Sequence, residues 1–283
     1  MLSYDEQIIM IKRLQEALLP LKPFFCFLNY FDTPWFYFCL VPFIWWGLGK
    51  KIGFRFFLCV IFSGYFNLIL KQFYSLPRPF QIDQNLAWVV VKGWGFPSGG
   101  AQTSFLLSCF FYDLWKEKRG SFLIFSYSLL ISFSRVALGV HFITDIIMGW
   151  WVAVVLFFFY NKAYLPQEHI FFPLSNRRKL YPCLLLVSVV PFLFCSYDTS
   201  RIAVFSLGSI FGCYFFEEKK SADLLPWVKI GVIFTACSIL FLFLQILKHW
   251  NTQYLLNLQL VGSFFLGFSF FIILQLIKKE KPS

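Results

Sequence analysis

The sequence predicts an all-α fold: a polytopic transmembrane helical bundle of about nine spans, with an amphipathic interfacial helix at its N-terminus. Three observations predict it. Of 283 residues, 59% are hydrophobic and only 14% charged, where a soluble domain carries about a quarter charged residues. Apolar runs of spanning or near-spanning length recur along the whole chain. Aromatic residues are abundant, 41 Phe and 10 Trp, and Trp45, Trp46, Trp150 and Trp151 fall near predicted span ends, where interfacial rings anchor a helix.

Taken in order, residues 4–19 read as an amphipathic helix with Ile8, Ile9, Ile11, Leu14 and Leu18 on its apolar side. Asp5, Glu6, Lys12, Arg13 and Glu16 break the positive-then-apolar order of a cleavable signal. The apolar runs follow at 34–49, 52–70, 98–115, 121–138, 145–161, 181–197, 202–216, 230–247 and 258–277. Three regions result: the interfacial segment 1–33, a membrane bundle 34–163, and additional helices of unknown role in 164–283. Only the connection 71–97 and the much shorter 139–144 leave room for function.

Sixteen of the 25 basic residues gather in loops on one side, which the positive-inside rule places in the cytoplasm. The 71–97 loop and the N-terminal segment then lie on the periplasmic or extracellular face of what reads as a bacterial plasma (inner) membrane. The formal charge of +11 does not imply a nucleic-acid partner, because the basic residues are dispersed among short loops rather than gathered in a patch. The eight cysteines lie in or beside apolar runs without a CxxC pair and read as small buried residues, not as disulfides or ligands. No metal and no cofactor is expected. Oligomeric state is not legible.

A few basic residues oppose the topology bias: Lys71, Arg78, Lys92 and Arg135. Snorkelling at helix ends accounts for a single lysine, but not for Arg78 between Pro77 and Pro79. Three polar stretches carry the chemistry. In "KQFYSLPRP", Lys71 precedes Arg78 by seven residues. In "FPSGGAQTSF", Ser98 offers a hydroxyl, and the Gly99 and Gly100 amides open a helix N-terminus that suits an anion. In "SRVALGVHFITD", Arg135 is a second guanidinium fork, His141 a nucleophile, and Asp145 the acceptor that fixes the ring's other nitrogen. The structural alternatives are a hydrogen-bonding His141 and an Asp145 that only caps the following helix.

These stretches resemble the three signature motifs of the type-2 phosphatidic acid phosphatase superfamily: Lys-x6-Arg-Pro, Pro-Ser-Gly-His and Ser-Arg-x5-His-x3-Asp. The first matches at Lys71, Arg78 and Pro79, and the third at Ser134, Arg135, His141 and Asp145. The resemblance covers about residues 34–163. It implies a helical bundle that hydrolyses a lipid phosphate through a phosphohistidine on His141. Lys71, Arg78, Ser98, Gly99, Gly100 and Arg135 would surround the phosphoryl group, without metal.

The second motif departs from the family. Gly100 stands where the family has the histidine that protonates the leaving group. An alkoxide, with a conjugate acid near pKa ~16 by analogy with water, leaves badly without an acid. A phosphate monoester, with a second pKa near ~6, leaves from a diphosphate far more readily. The expected substrate is therefore a lipid phosphate or, by preference, a (poly)prenyl diphosphate. Asp83 and Lys92 are the accessory candidates, the first for the missing proton and the second for the departing charge. A lipid phosphotransferase of the same family, or a non-catalytic lipid-phosphate binder or transport protein, is the alternative.

Overall fold

The computed structural model describes residues 3–115 and 118–167. Among them every regular element is helical: α1 (Tyr4–Ala17), α2 (Lys22–Leu28), α3 (Pro34–Gly47), α4 (Lys50–Tyr74), the single turn α5 (Pro79–Ile82), α6 (Gly99–Trp115), α7 (Lys118–Ala137) and α8 (Ile143–Phe159). The predicted runs 34–49, 52–70, 98–115, 121–138 and 145–161 fall on α3, α4, α6, α7 and α8. The other four runs, and the region 164–283 beyond residue 167, lie outside the described residues. Two stretches, Lys51–Ile82 and Ile143–Tyr164, are long and apolar enough to cross a membrane, and Phe122–Ala137 is a shorter apolar helix.

Residues Met1–Pro166 form one compact unit, with α6 packed against α4, α7 and α8, and α3 against α4. Its outer faces carry large apolar side chains, and its interior holds polar side chains beside a hydrophobic core. Phe62, Phe66 and Phe73 of α4, Phe122, Leu123 and Leu129 of α7, and Ile147, Trp151 and Phe158 of α8 are exposed. Ser63, Asn67, Gln102, Thr103, Ser104, Ser108 and Ser128 are buried between the helices. Small hydroxyl residues let helices approach closely and bond across the gap. Ser104 Oγ lies 3.3 Å from Ser128 Oγ, and Ser108 Oγ donates to the Ile124 carbonyl at 3.0 Å.

The N-terminal helix packs its apolar face against the bundle. Ser3 caps α1 with a reciprocal Glu6 capping box, the device that Ser-x-x-Glu favours. Ile8 and Ile11 then bury in a cluster with Leu86, Val136, Leu138 and Phe142, with Leu14 and Leu18 packed against it, while Ile9 is exposed. Two glutamines on the same face explain the docking. Gln15 Nε2 donates to the carbonyls of Leu86 at 3.0 Å and Ala137 at 2.9 Å, and Gln7 Oε1 accepts from the Ile143 amide at 3.2 Å. Helix α1 thus clasps both ends of the loop that carries His141, satisfying main-chain groups that a purely apolar face would leave bare.

Candidate active site

Residues 138–142 turn the chain sharply between α7 and α8. Gly139 adopts φ +70 and sits so close to the Leu86 main chain that a Cβ would overlap it, so the turn needs glycine both for its handedness and for its space. Its carbonyl accepts from the Phe80 amide at 3.2 Å, joining the turn to the segment just after Arg78. His141 emerges from this turn, buried to 4% exposure.

The two ring nitrogens of His141 have distinct partners. Nδ1 lies 3.2 Å from Asp145 Oδ2, and Nε2 lies 3.1 Å from Arg78 Nη1. A guanidinium has no acceptor, so Nε2 must be the unprotonated nitrogen, and Nδ1–H donates to Asp145. The spacing of four residues makes this possible because α8 begins at Ile143, one turn before the carboxylate faces back. Asp145 Oδ2 also accepts from the Phe142 amide at 2.9 Å, so the residue caps the helix and orients the ring at once. Burial, and after it the charges of Arg78, Lys71 and Arg135, hold the His141 imidazole well below its ordinary pKa. A neutral ring with its lone pair on Nε2, where Arg78 now donates to it, is the form a nucleophile needs once that bond is exchanged for phosphorus.

The cations are held by main-chain carbonyls. Arg78 donates through Nε to Gly93 at 2.9 Å, through Nη1 to Val140 at 3.0 Å and through Nη2 to Lys92 at 3.4 Å. Lys71 Nζ donates to Trp94 at 2.7 Å and Gly95 at 3.0 Å. The 92–95 segment therefore wraps both cations, and two residues seven apart in sequence meet the same strip of backbone. Lys92 contributes its carbonyl, while its side chain is exposed.

The Ser98 turn is fixed from three sides. Its amide donates to the Asp145 carbonyl at 3.0 Å, and its hydroxyl accepts from the Ala101 amide at 3.5 Å, at the start of α6. Asn67 of α4 lies against Gly99. Its Nδ2 donates to the Pro97 carbonyl at 3.2 Å and to Gln102 Oε1 at 3.0 Å. Gln102 in turn donates to the Ser63 carbonyl at 2.8 Å. Each buried amide is satisfied, so this network holds the turn instead of destabilising the bundle.

Arg135 and Gly100 share a partner the sequence reading missed. Arg135 Nη1 donates to Asp32 Oδ2 and to Asn29 Oδ1, both at 2.8 Å, while Nε and Nη2 donate to Ser134 Oγ at 3.2 and 3.1 Å. The Asp32 carboxylate lies directly over Gly100: a Cβ at position 100 would overlap it. The turn Asn29–Asp32 is positioned by Thr33, which caps α3 through the Phe36 amide at 3.3 Å. Two signals could have found it: Asp32 lies two residues before the first apolar run, and the charge pattern puts that segment on the same face as the 71–97 loop.

Asp83, expected as a source of the missing proton, is otherwise engaged. It accepts from Lys12 Nζ at 2.6 Å and from the Asn85 amide at 3.0 Å. The Lys12 hydrogen bond holds its pKa below the ordinary carboxylate value. An ionised carboxylate outside the group around His141 has no proton to give there.

Arg78, Lys71 and Arg135 all act electrostatically on His141, and guanidinium and ammonium groups gathered in this way suit an anion. Residues 52–167 match the family model of the PAP2 superfamily. Similar proteins include a lipid A 4'-phosphatase of Porphyromonas gingivalis, 32% identical over 105 residues (36% of this chain, 44% of the relative). Lipid A 4'-phosphatases of Rhizobium leguminosarum (28% over 104 residues; 32% of this chain, 45% of the relative) and Rhizobium etli (29% over 104; 32% and 40%) are also similar. The chain thus spans less than half the length of these relatives. No solved structure matches it.

Proposed function

We propose that this chain is an integral-membrane lipid phosphatase that works through a phosphohistidine on His141, on the periplasmic or extracellular face. The observation that carries the reading is the pairing of His141: Asp145 on Nδ1, and an unprotonated Nε2 beside Arg78. Nε2 attacks phosphorus, the bond to the lipid oxygen breaks, and Asp145 stabilises the imidazolium-like ring that forms. Lys71, Arg78 and Arg135, with the Ser98, Gly99 and Gly100 turn, bind the phosphoryl oxygens and stabilise the charge that spreads over them in the transition state. Water then attacks phosphorus, the P–N bond breaks, and phosphate leaves.

The exposed apolar sides of α4, α7 and α8 support the membrane setting, since a soluble protein would rarely present such large apolar patches. The substrate is a lipid phosphate. Gly100 favours a diphosphate such as a polyprenyl diphosphate, because nothing at that position protonates a poor leaving group. The relatives' names favour a phosphate on a lipid A sugar, whose leaving group is an alkoxide. Phosphate release by the purified full chain in detergent, from a polyprenyl diphosphate and from lipid monophosphates, tests both. Release abolished by His141→Ala is the expected result; release that survives it, or lipid binding without any release, would refute the phosphohistidine reading.

A further inference from the structure

We infer that Asp32 is the proton donor to the leaving group, a carboxyl brought from the N-terminal segment into the space that Gly100 leaves open. The inference rests on the phosphatase reading and deepens it, since an acid in this place makes a lipid phosphomonoester, with its alkoxide leaving group, a competent substrate.

The geometry has three parts. First, Asp32 and Gly100 are sterically coupled: the carboxylate occupies the volume into which any side chain at position 100 would grow. Glycine there is then a condition for Asp32 to be where it is. Second, Asp32 lies among the groups assigned to the phosphoryl oxygens. Arg135 is its direct partner at 2.8 Å, and Lys71 and Arg78 act on it electrostatically. Third, its side chain is 14% exposed against 2% for Arg135, so the carboxyl is the more accessible member of the pair.

Asp32 is paired with Arg135 at 2.8 Å. A bound phosphate competes for the same guanidinium and puts a second anion beside the carboxylate. Two anions at such a distance do not both stay ionised, and one proton is retained between them. Burial already pushes the Asp32 pKa upward, although Arg135, Lys71 and Arg78 pull it down. The charged and titratable groups that face it are Arg135 and Tyr127 from α7, Lys71 from α4, Arg78 after α4, and Tyr37 from α3; none is a second carboxyl.

The step then balances. His141 Nε2 donates its lone pair to phosphorus, the P–O bond to the lipid breaks, and its electron pair stays on the lipid oxygen. That oxygen takes the Asp32 proton and leaves as an alcohol. The Asp32 carboxylate next accepts a proton from the attacking water. The P–N electron pair returns to Nε2, and phosphate departs with Asp32 reprotonated for the next cycle.

The test compares a long-chain alkyl phosphate, a poor leaving group, with p-nitrophenyl phosphate, a good one, using the full chain in detergent. Asp32→Asn keeps an oxygen for Arg135 and loses the acid. It should lose about 10²–10⁴-fold on the alkyl phosphate and at most about tenfold on the aryl ester, whose departing phenolate needs less help. The basic limb of the kcat profile for the alkyl phosphate, which reports the complex, should disappear with it. The double variant Asp32→Ala/Gly100→His, in which the imidazole has room, should recover at least about tenfold over Asp32→Ala, within the usual contribution of a positioned acid. Equal losses on both esters would overturn the inference and leave Asp32 as a support for Arg135. Alkyl phosphate hydrolysis as fast as wild type, or faster, would also overturn it and make Asp32 an occupant of an empty anion site. A wild-type chain silent on both esters and on lipid phosphates would sink the phosphatase reading, and the proton donor with it.

Discussion

The two sides of the candidate site are built in opposite ways. On one side His141, Asp145 and Arg135 come from a single stretch of eleven residues around one turn, and Lys71 and Arg78 from another short stretch. On the other side Gly100 opens α6, and the group that fills its space comes from a turn 68 residues earlier, with Arg135 bonded to it across 103 residues of chain. The first side carries its chemistry in local spacing. The second carries it in a contact between distant elements, and a single glycine is its only mark in the motif. A motif residue can thus be lost while its place in the site stays filled from elsewhere.

Breaking the local side should cost most. His141→Ala removes the proposed nucleophile, and phosphate release should fall by at least about 10⁴-fold, as removal of a nucleophile from a catalytic triad does. Single-turnover trapping of phosphorylated protein checks that the loss lies in the covalent step.

The distant side should respond to steric change alone. Gly100→Ala puts a methyl group into the Asp32 carboxylate, so alkyl phosphate hydrolysis should fall about tenfold or more, within the range of a displaced general acid. Adding the same change to Asp32→Ala should cost little further, because the two act on one group. Additive losses in that double variant would separate Gly100 from Asp32.

The pH profile sharpens the comparison without any mutation. Because burial and the neighbouring cations hold His141 well below 6.5, protonation of the free enzyme's nucleophile comes only at more acid pH. The acid limb of kcat/KM should therefore stay flat as pH falls through 6.5 and drop only below it. A limb centred at or above 6.5 would contradict the buried, neutral ring.

The smallest effect belongs to a pair that lies on neither side. Lys12→Ala removes the exposed partner of Asp83. Rate and thermal midpoint should both stay at the wild-type level, as for most exposed ion pairs. A lost rate would return Asp83 to the site.

Much of this was legible in the sequence. Alternation of apolar runs and polar loops predicted α3, α4, α6, α7 and α8, though not the single turn α5, and the positions of Lys71, Arg78, Ser98, Arg135, His141 and Asp145 marked the candidate site. The role of α1 was legible only by half. Its apolar stripe was plain, but Gln7 and Gln15 on that stripe are the residues that bind it to the His141 turn, and glutamine in a helix carries no signal of a main-chain partner elsewhere.

The sequence by itself determined whatever the chain geometry fixes within a few residues. A histidine and an aspartate four apart at a helix start share one face, and a cation between prolines stays in a rigid turn. Tertiary structure alone decided what fills the space over Gly100. Asp32, Gly100 and Arg135 lie on three different elements, and no periodicity relates them. Their meeting depends on how α3, α6 and α7 pack, which is set by the summed contacts of the bundle rather than by any spacing along the chain.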